Sequence, residues 1–151
     1  MIRGMARMRR SELPDGHFHL TAAGAGGIHI FVADLDRLEF LHGLGIVADR
    51  FNWRLLVYCL MGTHYHLLVE ATAANLAPGM RWLNGAYAQG FNKRHERRGH
   101  LFGARYDARV VRDETHLRAA TSYVLENPVR AGLCARAESW PWSYAAASSE
   151  G

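Results

Sequence analysis

Two spacings of apolar residues occur along this chain, and together they predict both strands and helices. Where apolar and polar residues alternate one by one, the pattern predicts a strand with one buried face. The segments with this strand-like pattern are 17–23, 28–32, 53–61, 65–69 and 106–111. Where apolar residues recur every three or four positions, a helix is predicted instead. The helical segments begin at Asp34, Asn75 and Asp113, and they end near Arg50, Gly99 and Pro128.

The order of these elements predicts the fold class. Strands and helices follow one another as expected for an α+β domain, in which helices pack on one face of an antiparallel sheet. A chain of 151 residues suits a single core, so we expect one domain over residues 13–151. Residues 1–12 are polar and basic without any periodicity, and they are expected to form a flexible arm.

The charge of the chain is positive and is supplied almost entirely by arginine. The formal net charge is +4, and Lys93 is the only lysine. Arginine binds phosphates with two hydrogen bonds and stacks on bases, so the bias favours a nucleic-acid partner. GC-rich coding DNA and a solvated charged face are the alternative explanations. The residues expected to contact phosphates or bases are Arg94, Arg97, Arg98, Phe102, Arg105, Tyr106, Arg109 and Arg130.

Other features of the sequence concern its compartment. No apolar run approaches the roughly 18–20 residues that a membrane span needs, and no signal peptide is recognisable. Cys59 and Cys134 are too few for a disulfide framework and are expected to be reduced. We therefore expect a cytoplasmic, nucleoid-associated protein that does not bind membranes.

A pair of histidines is the first candidate for chemistry. His64 and His66 lie two residues apart in a predicted strand, so both side chains point to the same face. Two neutral imidazoles on one face can bind a divalent metal ion. His17 and His19 repeat the spacing, but their strand carries no partner motif, and we expect them to be core or surface residues.

A second candidate pair lies in the last predicted helix. Tyr123 and Asn127 are four residues apart, so they share one face of that helix. An amide oxygen there could serve as a third metal ligand, and a phenol could attack a phosphodiester that the metal polarises. The spacing is equally compatible with a half-buried tyrosine and a C-terminal helix cap.

Four blocks of the sequence resemble a known family of enzymes. In order along the chain they are YCLMGTHYHLLVE, FNKRHERRGHLFGARY, YVLENPVRAGL and PWSY. They are similar to blocks of the REP-associated tyrosine transposases, a branch of the single-tyrosine HUH nucleases that also contains insertion-sequence transposases. The resemblance covers roughly residues 14–145 in the right order.

This resemblance implies a complete mechanism. By analogy, His64 and His66 of the HUH motif and Asn127 would bind Mg²⁺ or Mn²⁺, and Tyr123 would be the nucleophile. The enzyme would cleave and rejoin single-stranded or hairpin DNA through a 5′-phosphotyrosine, as a monomer or a homodimer. The implied fold is the ferredoxin-like or RNA-recognition-like fold of HUH nucleases.

The sequence also departs from the family pattern. Thr63 stands where asparagine is frequent, and the segment 22–26 replaces the usual Arg-Gly-Asn with alanines and glycines. A domesticated protein that binds hairpin DNA without cleaving it therefore remains an alternative. Another is an unrelated hydrolase of small phosphoesters, which would require further carboxylates around His64; Glu70 is the nearest in its strand.

Overall fold

The structure of this protein is a computed structural model that describes residues 15–147. The predicted arm at residues 1–12 lies outside the described part. The strands are β1 (Gly16–Ala23), β2 (Arg54–Leu60), β3 (His64–Ala71), β4 (Asp107–Val111) and β5 (Ser143–Ala145). The helices are α1 (Asp34–Arg50), α2 (Ala73–Arg94), α3 (Glu114–Leu125) and the short α4 (Asn127–Arg130). None of the helices within residues 15–147 is long and apolar enough to cross a membrane.

The strands form one antiparallel sheet in the order β4-β1-β3-β2-β5. The strand with the HUH histidines, β3, is therefore central and is bonded on both sides. In the β1–β3 register Thr21 lies opposite His66, and Ala23 lies opposite His64. Side chains of directly paired residues point to the same face of a sheet, so β1 supplies close neighbours to both histidines.

Each face of the sheet has its own apolar cluster. The helices α1 and α2 cover the face formed by residues such as Phe18, Leu20 and Tyr65. The helix α3 packs on the other face through Ala120 and Val124, in a smaller cluster. The predicted α+β class with a single antiparallel sheet is confirmed. The prediction that the helices pack on one face is wrong in one respect, because α3 packs on the opposite face from α1 and α2, which is the face of the HUH histidines.

The element boundaries differ from prediction at several points. Residues 28–32 form no strand, because the chain turns at Gly26 and Gly27, whose φ angles are 60° and 79°. Instead the backbone N–H groups of Ile30 and Phe31 both donate to the carbonyl oxygen of Gly62. This contact ties the segment after β1 to the turn that precedes His64.

Two helix ends and one strand also differ. The helix α2 ends at Arg94 rather than near Gly99, because Glu96 adopts a left-handed φ of 50°. The helix α3 ends at Leu125, and Pro128 lies inside α4, where a proline early in a helix needs no backbone partner. The three-residue edge strand β5 was not predicted.

The start of α1 is stabilised by the side chain of Asp36 rather than by that of Asp34, the first residue of the helix. The Asp36 carboxylate accepts hydrogen bonds from the backbone N–H groups of Val32 and Ala33, each at 3.0 Å. It also forms an ion pair with Arg94 at 3.0 Å and accepts a hydrogen bond from His95 at 2.9 Å, although its side chain is only 1% exposed. This buried group joins the start of α1 to the end of α2.

Candidate functional site

The strand β3 places His64 and His66 on the face that α3 covers. Their ring centroids are 5.1 Å apart. His66 is buried with 6% exposure, whereas His64 is partly exposed. Because side chains alternate between the two faces of a strand, both imidazoles lie on the same face of β3, beside the smaller apolar cluster under α3. One of them, His64, is partly open to solvent.

Asn127 contacts both imidazoles from the end of the α3–α4 segment. Its side-chain Nδ2 donates to His66 Nε2 at 2.6 Å, and it also hydrogen-bonds His64. Although α3 ends before it, the backbone N–H of Glu126 bonds to Ser122 and that of Arg130 to Glu126. These bonds keep the chain almost helical, so Asn127 still lies one turn beyond Tyr123.

Tyr123 lies beside the same group of side chains. Its ring centroid is 6.1 Å from that of His66 and 6.2 Å from that of His19, edge-on in both cases. It is 37% exposed, so part of its side chain is accessible from solvent. The guanidinium of Arg130 lies 4.2 Å from the ring centroid and also donates to the carbonyl oxygen of Tyr123. Arg130 therefore holds both the ring and the backbone of this tyrosine.

Burial keeps the histidines of the site neutral. It lowers the pKa of His66 to about 2, with the charges of His19, His64 and Arg130 acting in the same direction. Burial also lowers the pKa of His64, which its hydrogen bond with Asn127 partly offsets. For His19 burial lowers the pKa to about 4, and the neighbouring charges of Arg109 and His116 add to this against that of Asp107. Neutral imidazoles have a free lone pair, as a metal ligand requires.

The donor groups that converge here suit a divalent cation. The Nδ1 atom of His64 is 3.1 Å from Thr63 Oγ1, and the Nδ1 atom of His66 is 2.9 Å from His19 Nε2. With their Nδ1 atoms held in this way, both imidazoles contact the Asn127 side chain, whose amide can present its oxygen by rotating. Two neutral imidazoles and one amide oxygen form a mixed nitrogen and oxygen donor set of the kind that binds a divalent metal ion.

The carboxylates near this site do not form a metal-binding cluster in the described part of the chain. Within residues 15–147, no three or more His, Cys, Asp or Glu side chains are arranged to bind a metal ion. Glu70 is paired with His17 at 3.1 Å and with Arg54 at 3.4 Å, toward the other end of β3. The carboxylate-lined cleft that a small-phosphoester hydrolase would require is therefore not formed by Glu70.

The predicted DNA contacts fall into three groups, of which two are exposed or lie at the site. Arg109 on β4 pairs with His19 in the sheet register, and Arg130 contacts Tyr123, so both lie at the site. The segment that follows α2 runs past the end of the sheet where β3 begins, because Gly24 bridges Phe102 there. On this segment Arg98 and Arg105 are exposed.

The remaining candidates make contacts within the protein. Arg94 is bonded to the buried Asp36, and Arg97 donates to Asn92 and to carbonyl oxygens of its own loop. Phe102 packs edge-on against Tyr65, and both Phe102 and Tyr106 are partly buried against the larger apolar cluster. Their sequence pattern resembled a stacking platform, but their rings cover the core.

His19 is the residue of the site that the sequence did not identify. It is 7% exposed, and its Nε2 atom hydrogen-bonds His66, a residue 47 positions away in the chain. Thr21 Oγ1 lies 3.3 Å from the same His66 nitrogen. The spacing of His17 and His19 revealed only a shared face. The sheet register that brings His19 beside His66 was the missing information.

Comparison with known proteins identifies both the family and the fold. Residues 14–127 match the family model described as Transposase IS200 like. The structure is similar to that of a REP-associated tyrosine transposase bound to a REP hairpin, with a TM-score of 0.73 and 15% identity over 92% of this chain and 82% of that one. It is also similar to a candidate transposase from Deinococcus radiodurans R1, with a TM-score of 0.53 and 22% identity over 81% and 97% of the two chains. The search of curated proteins found no match.

Proposed function

Because this chain belongs to the family of IS200-like transposases, we propose that it cleaves and rejoins single-stranded DNA with Tyr123 as its nucleophile. The observation that carries this proposal is the position of Tyr123, partly exposed and 6.1 Å from His66, whose Nε2 atom contacts Asn127. A reactive hydroxyl beside a set of metal-binding donors is the arrangement that phosphoryl transfer requires.

A divalent metal ion, Mg²⁺ or Mn²⁺, is the proposed cofactor. His64, His66 and Asn127 would hold it, because their side chains converge and the histidines are neutral. When bound, the ion would withdraw charge from a non-bridging oxygen of the scissile phosphate. The protein contributes a fixed arrangement of the ligands, since β3 is bonded on both sides in the sheet.

In the proposed reaction the phenolic oxygen of Tyr123 attacks the scissile phosphorus. A bond forms between that oxygen and the 5′ phosphate, and the bond from phosphorus to the 3′ oxygen breaks. The phenol proton is lost to solvent, and the departing oxygen takes up a proton to become a 3′ hydroxyl. Attack by another 3′ hydroxyl on the phosphotyrosine reverses these steps and joins strands. The phosphotyrosine conserves the energy of the phosphodiester, so rejoining needs no nucleotide cofactor.

The proposed substrate is a DNA hairpin with a single-stranded flank. One structural relative was solved with a REP hairpin, and the exposed Arg98 and Arg105 lie on a segment beside the start of β3. Arg109 and Arg130 would bind phosphates close to the reacting group. Arginines in this distribution suit a backbone that bends past Tyr123. A chromosomal substrate of this kind implies activity in the cytoplasm, at the nucleoid.

The experiment that tests the proposal detects the covalent intermediate. Wild-type protein is incubated with Mn²⁺ and a library of end-labelled hairpins with single-stranded flanks, and adducts that survive denaturation are mapped by mass spectrometry. We expect an adduct on Tyr123. Tyr123→Phe removes only the phenolic oxygen, so it should keep the fold and DNA binding while cleavage falls by roughly a thousandfold or more.

A matched control for this variant is Tyr144→Phe. Tyr144 has a similar exposure of 44%, but its ring stacks on Tyr58 in the β2–β5 pair. This variant should cleave like the wild type. Full activity of Tyr123→Phe would show that another group is the nucleophile. DNA binding by the wild type with no adduct under any condition would favour a domesticated binding protein.

A further inference from the structure

His19 occupies a position behind the candidate metal ligand His66. It lies in the central strand β1, its side chain is 7% exposed, and its Nε2 atom is 2.9 Å from His66 Nδ1. The two ring centroids are 5.2 Å apart. This contact joins two buried imidazoles across neighbouring strands, and the proposed chemistry has so far given it no role.

The hydrogen bonds around His66 define which of its nitrogens carries the proton. Asn127 Nδ2 can only donate, so His66 Nε2 is unprotonated and accepts with its lone pair. In a neutral imidazole the other nitrogen is then protonated, so His66 Nδ1 donates to His19 Nε2. The metal-binding side and the His19 side of His66 are therefore different edges of one ring. Because His19 Nε2 accepts this hydrogen bond, it cannot at the same time bind the ion that His66 Nε2 would hold.

We propose that His19 is a positioning residue that holds His66 in the tautomer and orientation needed to bind the metal. The inference rests on the proposed function, because it concerns the same metal site. A histidine ligand usually donates its second N–H to a fixed acceptor, and losing that acceptor weakens metal binding or activity by about 10- to 100-fold. Here the main acceptor is a neutral imidazole. It fixes the ring without adding a negative charge beside the DNA phosphates.

His19 also contacts the proposed nucleophile. Its ring lies edge-on to Tyr123, with centroids 6.2 Å apart, so one side chain from β1 touches both a metal ligand and the tyrosine. The titratable groups that face His19 from the neighbouring elements are Asp107 and Arg109 on β4 and His116 on α3. His19 thus joins the ligand on the sheet to the tyrosine on the helix above it.

The first test measures Mn²⁺ affinity by calorimetry in the full chain without DNA. His19→Leu keeps an apolar side chain in the buried space but removes the acceptor, so we expect a dissociation constant about 10- to 100-fold higher. His19→Gln restores an acceptor oxygen and should recover most of the affinity. The control is His17→Leu on the same strand face, where His17 pairs with Glu70. It should bind Mn²⁺ like the wild type.

The second test needs neither metal nor mutation. In the metal-free wild type, nitrogen NMR should show His66 protonated at Nδ1, with a scalar coupling through the hydrogen bond to His19 Nε2. Protonation of His66 at Nε2, or the absence of this coupling, would overturn the inference even if the leucine variant does not fold. Wild-type Mn²⁺ affinity in a folded His19→Leu variant would overturn it as well.

The two tests also separate this inference from the proposed function. If the wild-type protein binds no Mn²⁺, the metal-dependent function fails. The NMR experiment then still decides whether His19 sets the tautomer of His66. If the wild type binds Mn²⁺ and His19→Leu does not weaken binding, the function survives and the role of His19 is wrong.

Discussion

The buried carboxylate of Asp36 gives a prediction about stability that can be worked out from its contacts. We consider Asp36→Asn, which keeps the shape of the side chain but replaces one acceptor oxygen with an N–H₂ donor. The carboxylate accepts from two backbone N–H groups at 3.0 Å, from Arg94 Nε at 3.1 Å and from His95 Nε2 at 2.9 Å. In the variant the new amide must face at least one of these donors, because a single oxygen cannot serve them all.

The size of the effect follows from these contacts. A hydrogen bond to a charged group contributes about 1.5–3 kcal/mol, and the asparagine oxygen keeps part of the network. We expect a loss of roughly 2–3 kcal/mol in the free energy of unfolding at pH 7. In a chain of this size 1 kcal/mol corresponds to about 2–4 °C, so the melting temperature should fall by roughly 5–10 °C.

The pH dependence has a definite sign. Burial alone would raise the pKa of Asp36, but hydrogen bonds from Ala33, His95, Val32 and Arg94 outweigh it and lower the pKa below its ordinary 3.8. A pKa that is lower in the folded state stabilises the fold at pH values above the unfolded pKa. This contribution disappears as the pH falls through the folded pKa. The difference between wild type and Asp36→Asn should therefore be full at pH 7 and shrink below about pH 4.

The assay is thermal unfolding followed by circular dichroism between pH 7 and pH 3. The matched control is Asp34→Asn, which makes the same change at the exposed first residue of α1. It should cost less than about 1 kcal/mol, the scale of an exposed charge near a helix end. Equal losses for the two variants, or a difference that persists unchanged to pH 3, would refute the reasoning about Asp36.

The remaining predictions concern the site itself. Replacing both His64 and His66 with alanine should abolish Mn²⁺ binding, measured by calorimetry, and cleavage, while circular dichroism shows that the fold is retained. His17→Ala should change neither Mn²⁺ binding nor cleavage. Mn²⁺ binding by the double variant would show that the metal site lies elsewhere in the protein. Arg130→Lys keeps the charge but loses the planar guanidinium that lies 4.2 Å from the ring of Tyr123. DNA affinity measured by fluorescence anisotropy should fall less than cleavage, because the lysine keeps the positive charge. Cleavage should fall roughly tenfold or more, because Tyr123 is less well held. Equal loss of both would assign Arg130 to binding alone.

Much of the fold was predictable because its signals are local. The alternation in β1 and β3, the apolar stripe of α2 and the cap at Asp113 each depend on residues close together in the chain. Asp113 indeed accepts from the backbone N–H of His116 at 2.8 Å. The segment 28–32 shows where such signals fail. Ile30 and Phe31 are buried, but their backbone N–H groups donate to the carbonyl oxygen of Gly62 instead of pairing with a strand. The edge strand β5 is too short for alternation to be recognised.

The site was predictable only where its residues share an element. His64 and His66 lie on one strand, and Tyr123 and Asn127 on nearly continuous helical turns, so spacing alone grouped each pair. The family resemblance was needed to join the two pairs. Neither source identified His19, because its partner is brought to it by strand register. Arg94 and Phe102 show the converse. They lie in a basic, aromatic stretch that predicted DNA contacts, whereas in the structure Arg94 pairs with Asp36 and Phe102 packs against Tyr65.

Because the apolar residues form one large and one small cluster, the two parts of this site should differ in their stability against local unfolding. The histidines lie on β3, the middle strand of the sheet, whereas Tyr123 and Asn127 belong to a segment that is attached through the smaller cluster around Ala120 and Val124. Local opening is cheaper where less apolar area is exposed. The amides of α3 should therefore exchange with deuterium faster than those of β1 and β3. If so, α3 would detach and re-dock without unfolding the sheet that carries His64 and His66.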